Sequence, residues 1–257
     1  MTTRLLLDSG NSRLKWAFMD GGTEPALRGV VIADDTALEG LAQALRQGGC
    51  GVPDAIHVLS VRGVAFEEEL RDACDRLHWP QPRIYHARDE GDGVHPAYPE
   101  PILLGADRYG AMVAAHRLFD GPVLVVDCGT AVTVDALAAG GRHMGGLILP
   151  GLWLMRNALD AGTAAVQQVK GDVAHCLLAD NTAQAVAGGT LLGLASAVDG
   201  LCDRVTETLG VTPHRLLCGG DAAELMSWLK GPYQHCPWLV LQGLDYMTGG
   251  RSCAPWP

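Results

Sequence analysis

Lysine is nearly missing from this sequence: Lys15, Lys170 and Lys230 stand beside sixteen arginines. The arginines are scattered without a basic cluster, and the formal net charge is −10. Binding to a phosphate backbone needs a basic surface, so nucleic acid is excluded as a main partner. No CxxC pair occurs among the eight cysteines, at positions 50, 74, 128, 176, 202, 218, 236 and 253. That spacing argues against a structural zinc site and, with no export signal, reads as reduced thiols. The opening MTTRLLLDSGNS reaches an acidic residue after three apolar ones, too few for a signal-peptide core. The longest uncharged stretch, Asn181 to Val198, holds three glycines and several polar residues, so no membrane span is expected. These absences predict a cytoplasmic protein. Neither GxxxxGK[ST] nor a strand-linked GxGxxG is present, so any nucleotide site must be built from other loops.

What is present is enough apolar material for a large core: 257 residues, 48% hydrophobic and 19% charged. Two segments resemble each other. Residues 5 to 18 read LLLDSGNSRLKWAF and residues 124 to 138 read LVVDCGTAVTVDALA. Each is an apolar run ending in Asp-x-Gly-[Asn/Thr], followed by alternating apolar positions, and each predicts a strand–turn–strand hairpin. Asp8 and Asp127 are nearly half the chain apart, which predicts two similar halves, 1–119 and 120–257. Helical spacing is expected over Asp35–Gln47, Ala65–Leu77, Gly105–Phe119, Leu152–Asp160 and residues 182–209. Short strands are expected at Ile56–Val61, Met144–Leu149 and Leu216–Cys218, and a charged, Gly- and Pro-rich loop over Ala87–Pro101. Alternating strands and helices make the fold class α/β.

Three places could carry chemistry. The first turn, Asp8-Ser9-Gly10-Asn11-Ser12, has the composition of a phosphate loop. Gly10 permits close backbone approach, Lys15 adds positive charge across the hairpin, and Asp8 suits a hydrated Mg²⁺ ion. The same residues also dominate ordinary turns. The second turn, Asp127-Cys128-Gly129-Thr130, raises the first one's significance, because two such turns can hold one polyphosphate. The third is Gly105-Ala106-Asp107-Arg108 at a helix entrance. A carboxylate there can accept a hydroxyl proton while a guanidinium binds an acid, although an acidic first turn is also common for purely structural reasons.

In order along the chain, DSGNS at residue 8, GADR at 105–108, DCGTAVTVD at 127–135, GGLILPG at 145–151, TAQAVAGG at 182–189 and GG at 219–220 resemble type III pantothenate kinase. The resemblance runs from about residue 5 to residue 222. It implies an actin-like fold of two ribonuclease-H-like halves, each a mixed sheet flanked by helices. It also implies a homodimer, ATP, Mg²⁺, a monovalent cation (K⁺ or NH₄⁺), and pantothenate as acceptor. Matched by position, the run Asp8, Ser9, Gly10, Asn11, Ser12, Arg13, Leu14, Lys15 and the later Thr130 would bind ATP. Asp107 would be the general base, and Gly105, Ala106, Asp107 and Arg108, with Tyr98 and Thr182, would line the pantothenate pocket. Asp127 would hold the monovalent cation and Asp8 the Mg²⁺. Ser12 stands where the family commonly has Thr, and Cys218 precedes Gly219-Gly220 where Thr is usual. The alternatives are a non-catalytic relative of the Bvg accessory factor type and another actin-like small-molecule kinase. Ala185, Gly189, Gly193 and Ala197 form a small-residue helix face, suited to a dimer contact or to packing within the subunit. Trp153, Trp228 and Trp238 read as core or interface anchors.

Overall fold

The computed structural model describes residues 2–34, 36–89, 91–162 and 177–257. Asp35, Lys170 and Cys176 therefore lie outside the described residues. The chain forms two compact units. The first comprises Met1–Asp120, Ala139–His143 and Trp238–Pro257; the second comprises Gly121–Ala138 and Met144–Pro237. Residues 238–257 thus group with the first unit and not with the second. The reason is packing: the helix near the end of the chain seats against a helix of the first unit.

In the first unit, β1 (Arg4–Ser9), β2 (Arg13–Met19), β3 (Leu27–Ile32), β4 (Ala55–Ser60) and β5 (Pro82–Tyr85) form one sheet in the order β3-β2-β1-β4-β5. β1 pairs antiparallel with β2 and parallel with β4, with Asp8 opposite Lys15 and Ser9 opposite Leu14. Leu5, Leu6 and Leu7 are all fully buried, which requires cover on both sheet faces. Each such side chain contributes about 1.5–3 kcal/mol through burial. On one face Leu5 and Leu7 meet α1 (Ala37–Gln47) and α2 (Val64–Arg76) through Leu41, Leu45, Phe66 and Leu70. The other face is covered by α3 (Ala106–Leu118) and, late in the chain, α7 (Leu239–Met247).

α3 and α7 approach so closely that their glycines meet. A Cβ at Gly243 would fall on the carbonyl of Gly110, and one at Gly110 would strike the Leu59 side chain and the Val240 carbonyl. Only hydrogen at these positions permits the crossing. α7 is further tied to β1 by charge. Arg4 Nη2 lies 2.8 Å from Oδ1 of the fully buried Asp245, and Arg4 Nη1 donates to Thr248 Oγ1 at 2.6 Å. Burial pushes the Asp245 carboxyl above its ordinary range, and the Arg4 charge opposes that shift.

The second unit contains β6 (Val123–Cys128), β7 (Ala131–Leu137), β8 (His143–Pro150) beyond its first residue, α4 (Leu152–Gly162), α5 (Thr182–Leu209), β9 (His214–Cys218), α6 (Ala222–Met226) and β10 (Tyr233–His235). Its sheet runs β10-β9-β6-β7-β8, which from the other edge is the order of the first sheet. β6 again pairs antiparallel with its hairpin partner and parallel with β9. The duplication read from two short motifs is therefore one of whole sheets. The 28-residue α5 begins where Asn181 accepts a hydrogen bond from the Gln184 amide and ends at left-handed Gly210. By length and composition it could cross a membrane, but Leu191, Leu194, Ala195, Val198 and Cys202 are buried in the unit's core, as in a core helix. Of the expected tryptophan anchors, Trp153 is 60% exposed and Trp228 37% exposed, so neither is core; Trp238 lies under the Arg28 guanidinium.

Candidate active site

The C-terminal end of β1 delivers Asp8 into a turn closed by the Gly10 amide donating to the Arg13 carbonyl at 3.1 Å. Asp8 is buried, Lys15 is half-buried beside it in register, and Asn11, Ser12 and Arg13 are exposed at the tip. Strand alternation puts Ser9 on the face away from Asp8, where its hydroxyl is buried with no hydrogen-bond partner among the described residues. Leu14 is wholly buried, so only its main chain can serve a ligand. Among the described residues no cluster of three or more His, Cys, Asp and Glu side chains could cage a metal. The single Asp8 carboxylate nevertheless fits Mg²⁺, which takes one or two carboxylates and completes its shell with water and phosphate.

In the same unit, Gly105 precedes α3 and Asp107 sits in its first turn, where Oδ1 accepts from the Arg108 amide at 2.7 Å. An acid at a helix start is favoured by the aligned peptide dipoles. Arg108 is buried, and its Nη1 donates to the Tyr98 hydroxyl at 3.1 Å. The loop expected over Ala87–Pro101 thus carries Tyr98 to the entrance of α3, and the structure brings Tyr98, Asp107 and Arg108 together. Sequence reading missed the residues that hold this arrangement. The Tyr98 ring stacks on His143, 6.3 Å between centroids and 8° from parallel, and His143 Nδ1 accepts from the Ala97 amide at 3.3 Å. Deeper in the loop, Asp92 is buried and accepts from Arg88 Nε and Nη2, each at 2.7 Å, and from the Tyr109 hydroxyl at 3.0 Å. The one signal in the sequence was an aspartate among glycines in a charged loop, a pattern shared by many turns.

In the second unit the β6–β7 turn is one residue shorter than its counterpart. The Gly129 amide donates to the Ala131 carbonyl at 3.1 Å, and the Gly151 amide to the Thr130 carbonyl at 3.0 Å. Gly219, at φ +96°, packs its backbone onto this turn, where a Cβ would fall on the Cys128 carbonyl and the Asp127 carboxylate. The Asp127 carboxylate and the Cys128 carbonyl thus lie side by side under Gly219, oxygen donors of the type a monovalent cation takes. Burial, and secondarily the Asp127 charge, pushes the Cys128 thiol far up, so it remains a neutral packing group and no nucleophile. Thr182, the first residue of α5, is exposed in a groove of about 650 Å³ with Met155, Leu159, Asp180 and Gly189.

The profile of the family described as type III pantothenate kinase matches residues 4–204, a span that includes every candidate residue from Asp8 to Thr182. The chain belongs to the type III pantothenate kinase family. It is 37% identical over 255 residues to the type III pantothenate kinase of Nitrosococcus oceani, covering 96% of this chain and 94% of that one. It is 39% identical over 247 residues to that of Alkalilimnicola ehrlichii, covering 95% and 97%. Among solved structures it is similar to a conserved putative Baf family transcriptional activator from Campylobacter jejuni, with a TM-score of 0.58, 20% identity, and 95% and 96% of the two chains covered. It is also similar to the activator of 2-hydroxyisocaproyl-CoA dehydratase from Clostridium difficile, with a TM-score of 0.56, 11% identity, and 96% of each chain covered. At such identities the structural likeness concerns fold alone, and that fold is the actin-like one. Gly219 and Gly220 lie beyond the span of the family profile but within that shared with the two relatives.

Proposed function

We infer that the chain transfers the γ-phosphoryl group of ATP to the primary hydroxyl of pantothenate, the first step of coenzyme A biosynthesis. Family membership supports the reaction, and the grouping of Asp107, Arg108 and Tyr98 at the start of α3 is the observation that carries the site. Pantothenate is a carboxylate bearing hydroxyls. A buried guanidinium can bind the acid while a neighbouring carboxylate receives a hydroxyl proton. The hydroxyl oxygen attacks the γ-phosphorus, the bond to the bridging oxygen of ADP breaks, and Asp107 takes the proton. Because the transition state is loose, positioning and charge neutralisation dominate over proton removal. Gly105 and Ala106 set the backbone beside the acceptor, and Thr182 contributes from the mouth of its groove. The exposed Asn11-Ser12-Arg13 tip, with Gly10 and Lys15, serves the phosphate chain, as does the Thr130 turn. Asp8 would hold Mg²⁺, which when bound neutralises phosphate charge. The direct test is ATP consumption with pantothenate, with glucose or acetate, and with no acceptor; turnover with a sugar and none with pantothenate would overturn the reading.

Family membership favours a monovalent cation at Asp127, whose carboxylate lies beside the Cys128 carbonyl. Activity is expected to rise several-fold when K⁺ or NH₄⁺ replaces Na⁺ at fixed ionic strength, and Asp127→Ala to lose that response. Equal rates in sodium and potassium would remove the cation from the mechanism.

The small-residue face of α5 supports a homodimer. A Cβ at Gly189 or Gly193 would meet nothing within 4 Å, and Ala185 is exposed beside them, which leaves room for a partner helix at these three positions. Bulk at Gly189 is expected to weaken dimerisation and, through Thr182 in the same groove, pantothenate binding together. A Gly189→Leu protein that sediments as a monomer with an unchanged pantothenate KM would sink that coupling. The protein is read as cytoplasmic, where its substrates are.

A further inference from the structure

We propose that Asp92 is a positioning residue for the acceptor substrate: its carboxylate locks the 87–100 loop to α3 and thereby fixes Tyr98 against Arg108. Asp92 is only 4% exposed, yet it stands in a loop otherwise rich in exposed residues. A buried carboxylate is costly unless donors surround it, and here two arms of Arg88 and the Tyr109 hydroxyl converge on it. Tyr109 is fully buried and directly follows Arg108, so the carboxylate grips α3 at the turn that presents the guanidinium.

From Asp92 the chain has six residues to reach Tyr98, and it is held at intervals along them. Val94 is fully buried. The His95 amide donates to the Gly141 carbonyl at 2.9 Å, and the His95 carbonyl accepts from the His143 amide at 2.9 Å. His143 then accepts from the Ala97 amide and stacks on Tyr98. The loop is therefore fastened at one end to α3 by Asp92 and at the other to residues 141–143. Tyr98 and Arg108 sit where those two fastenings oblige them to meet. The hairpin of residues 8–15 is built on the sheet independently of this lock. Loss of the Asp92 charge should disturb the acceptor side while leaving the ATP side as it was.

This inference rests on the reading of Tyr98 and Arg108 as acceptor-binding residues, so the experiment includes a variant that tests that reading alone. Steady-state kinetics would be measured on the full chain for Asp92→Asn, Tyr109→Phe, their double variant and Arg108→Gln. Pantothenate is varied at saturating ATP and ATP at saturating pantothenate, and thermal unfolding is recorded for each protein. Asp92→Asn is expected to raise the pantothenate KM about 10-fold, with kcat and the ATP KM within about twofold of the parent. Tyr109→Phe should shift the pantothenate KM in the same direction by less, and the double variant should show less than the product of the two effects. A folded Asp92→Asn protein with an unchanged pantothenate KM overturns the proposal. So does one in which both KM values and kcat worsen in step with the melting temperature, since that is what a merely structural residue would do. If Asp92→Asn does not fold, Tyr109→Phe decides, and an unchanged pantothenate KM there overturns the proposal. Arg108→Gln with an unaltered pantothenate KM would overturn the acceptor site itself; a raised KM in Arg108→Gln beside normal Asp92→Asn kinetics would overturn only the role of Asp92.

Discussion

Asp107→Asn is expected to lower kcat by about 100-fold or more while the protein stays folded. The asparagine keeps the size of the side chain and keeps an Oδ1 that can accept from the Arg108 amide, as Asp107 does at 2.7 Å. The start of α3 is therefore preserved, and what is lost is the ability to hold the departing proton. The pantothenate KM should change little, so kcat and kcat/KM fall together, the pattern of an interaction made in the transition state. The check is ADP release measured at saturating substrates beside a thermal melt of the same preparation. Near-normal kcat in a folded Asp107→Asn protein would mean that proton removal is carried by water or by another group.

The largest expected effect on stability is at the crossing of α3 and α7. A valine at Gly243 would drive its Cβ into the Gly110 carbonyl, an obstacle of backbone that no rotamer can relieve. Overpacking of this kind costs about 3 kcal/mol, at the upper end of the usual range. For a chain of this size that lowers the unfolding midpoint by about 6–12 °C. Gly200 is the control: a Cβ there meets nothing within 4 Å, and in the exposed interior of α5 an alanine should be neutral or stabilising. If Gly243→Ala and Gly200→Ala melted alike, the close approach would carry no weight in the fold.

How far the sequence could be read depended on where each element finds its partners. The hairpins were legible because local alternation and turn residues determine them, and α5 was legible over the residues 182–209 that it spans. β3 and β5 were not: β3 is an edge strand whose Val30 and Ile32 are exposed, and β5 is four residues long and begins with proline. α7 was missed because LVLQGLDYM buries Gln242 and Asp245 beside its apolar residues, so no polar face marks the helix period. Its glycine and its aspartate make sense only against Gly110 and Arg4, more than a hundred residues away in sequence. The motif residues of the site were legible for the opposite reason. Asp8, Asp107 and Asp127 sit at the ends of strands or the start of a helix, where glycine-flanked acids stand out. Asp92 is flanked by glycines too, but it stands in a loop away from any strand end or helix start, and its importance lies in donors its own turn does not show: Arg88 four residues back and Tyr109 of α3.

The return of residues 238–257 to the first unit has a consequence for the order in which the protein can mature. The first unit is assembled from three stretches of chain, and its helix pair α3–α7 joins segments separated by the whole second unit. On the ribosome, the hairpin and the loop that carries Tyr98 emerge early, but the face of α3 that seats α7 must wait until residue 247 has been made. Until then Gly110 and the inner face of β1 lack the cover of α7, while the second unit, once residue 237 is made, has all of its own chain. Long-range closure of this sort is slow and leaves apolar surface open in the interim. A nascent chain halted between residues 237 and 247 thus has its second unit complete while its first is half-lidded, and the start of α3, although translated long before, becomes firm only when α7 is seated.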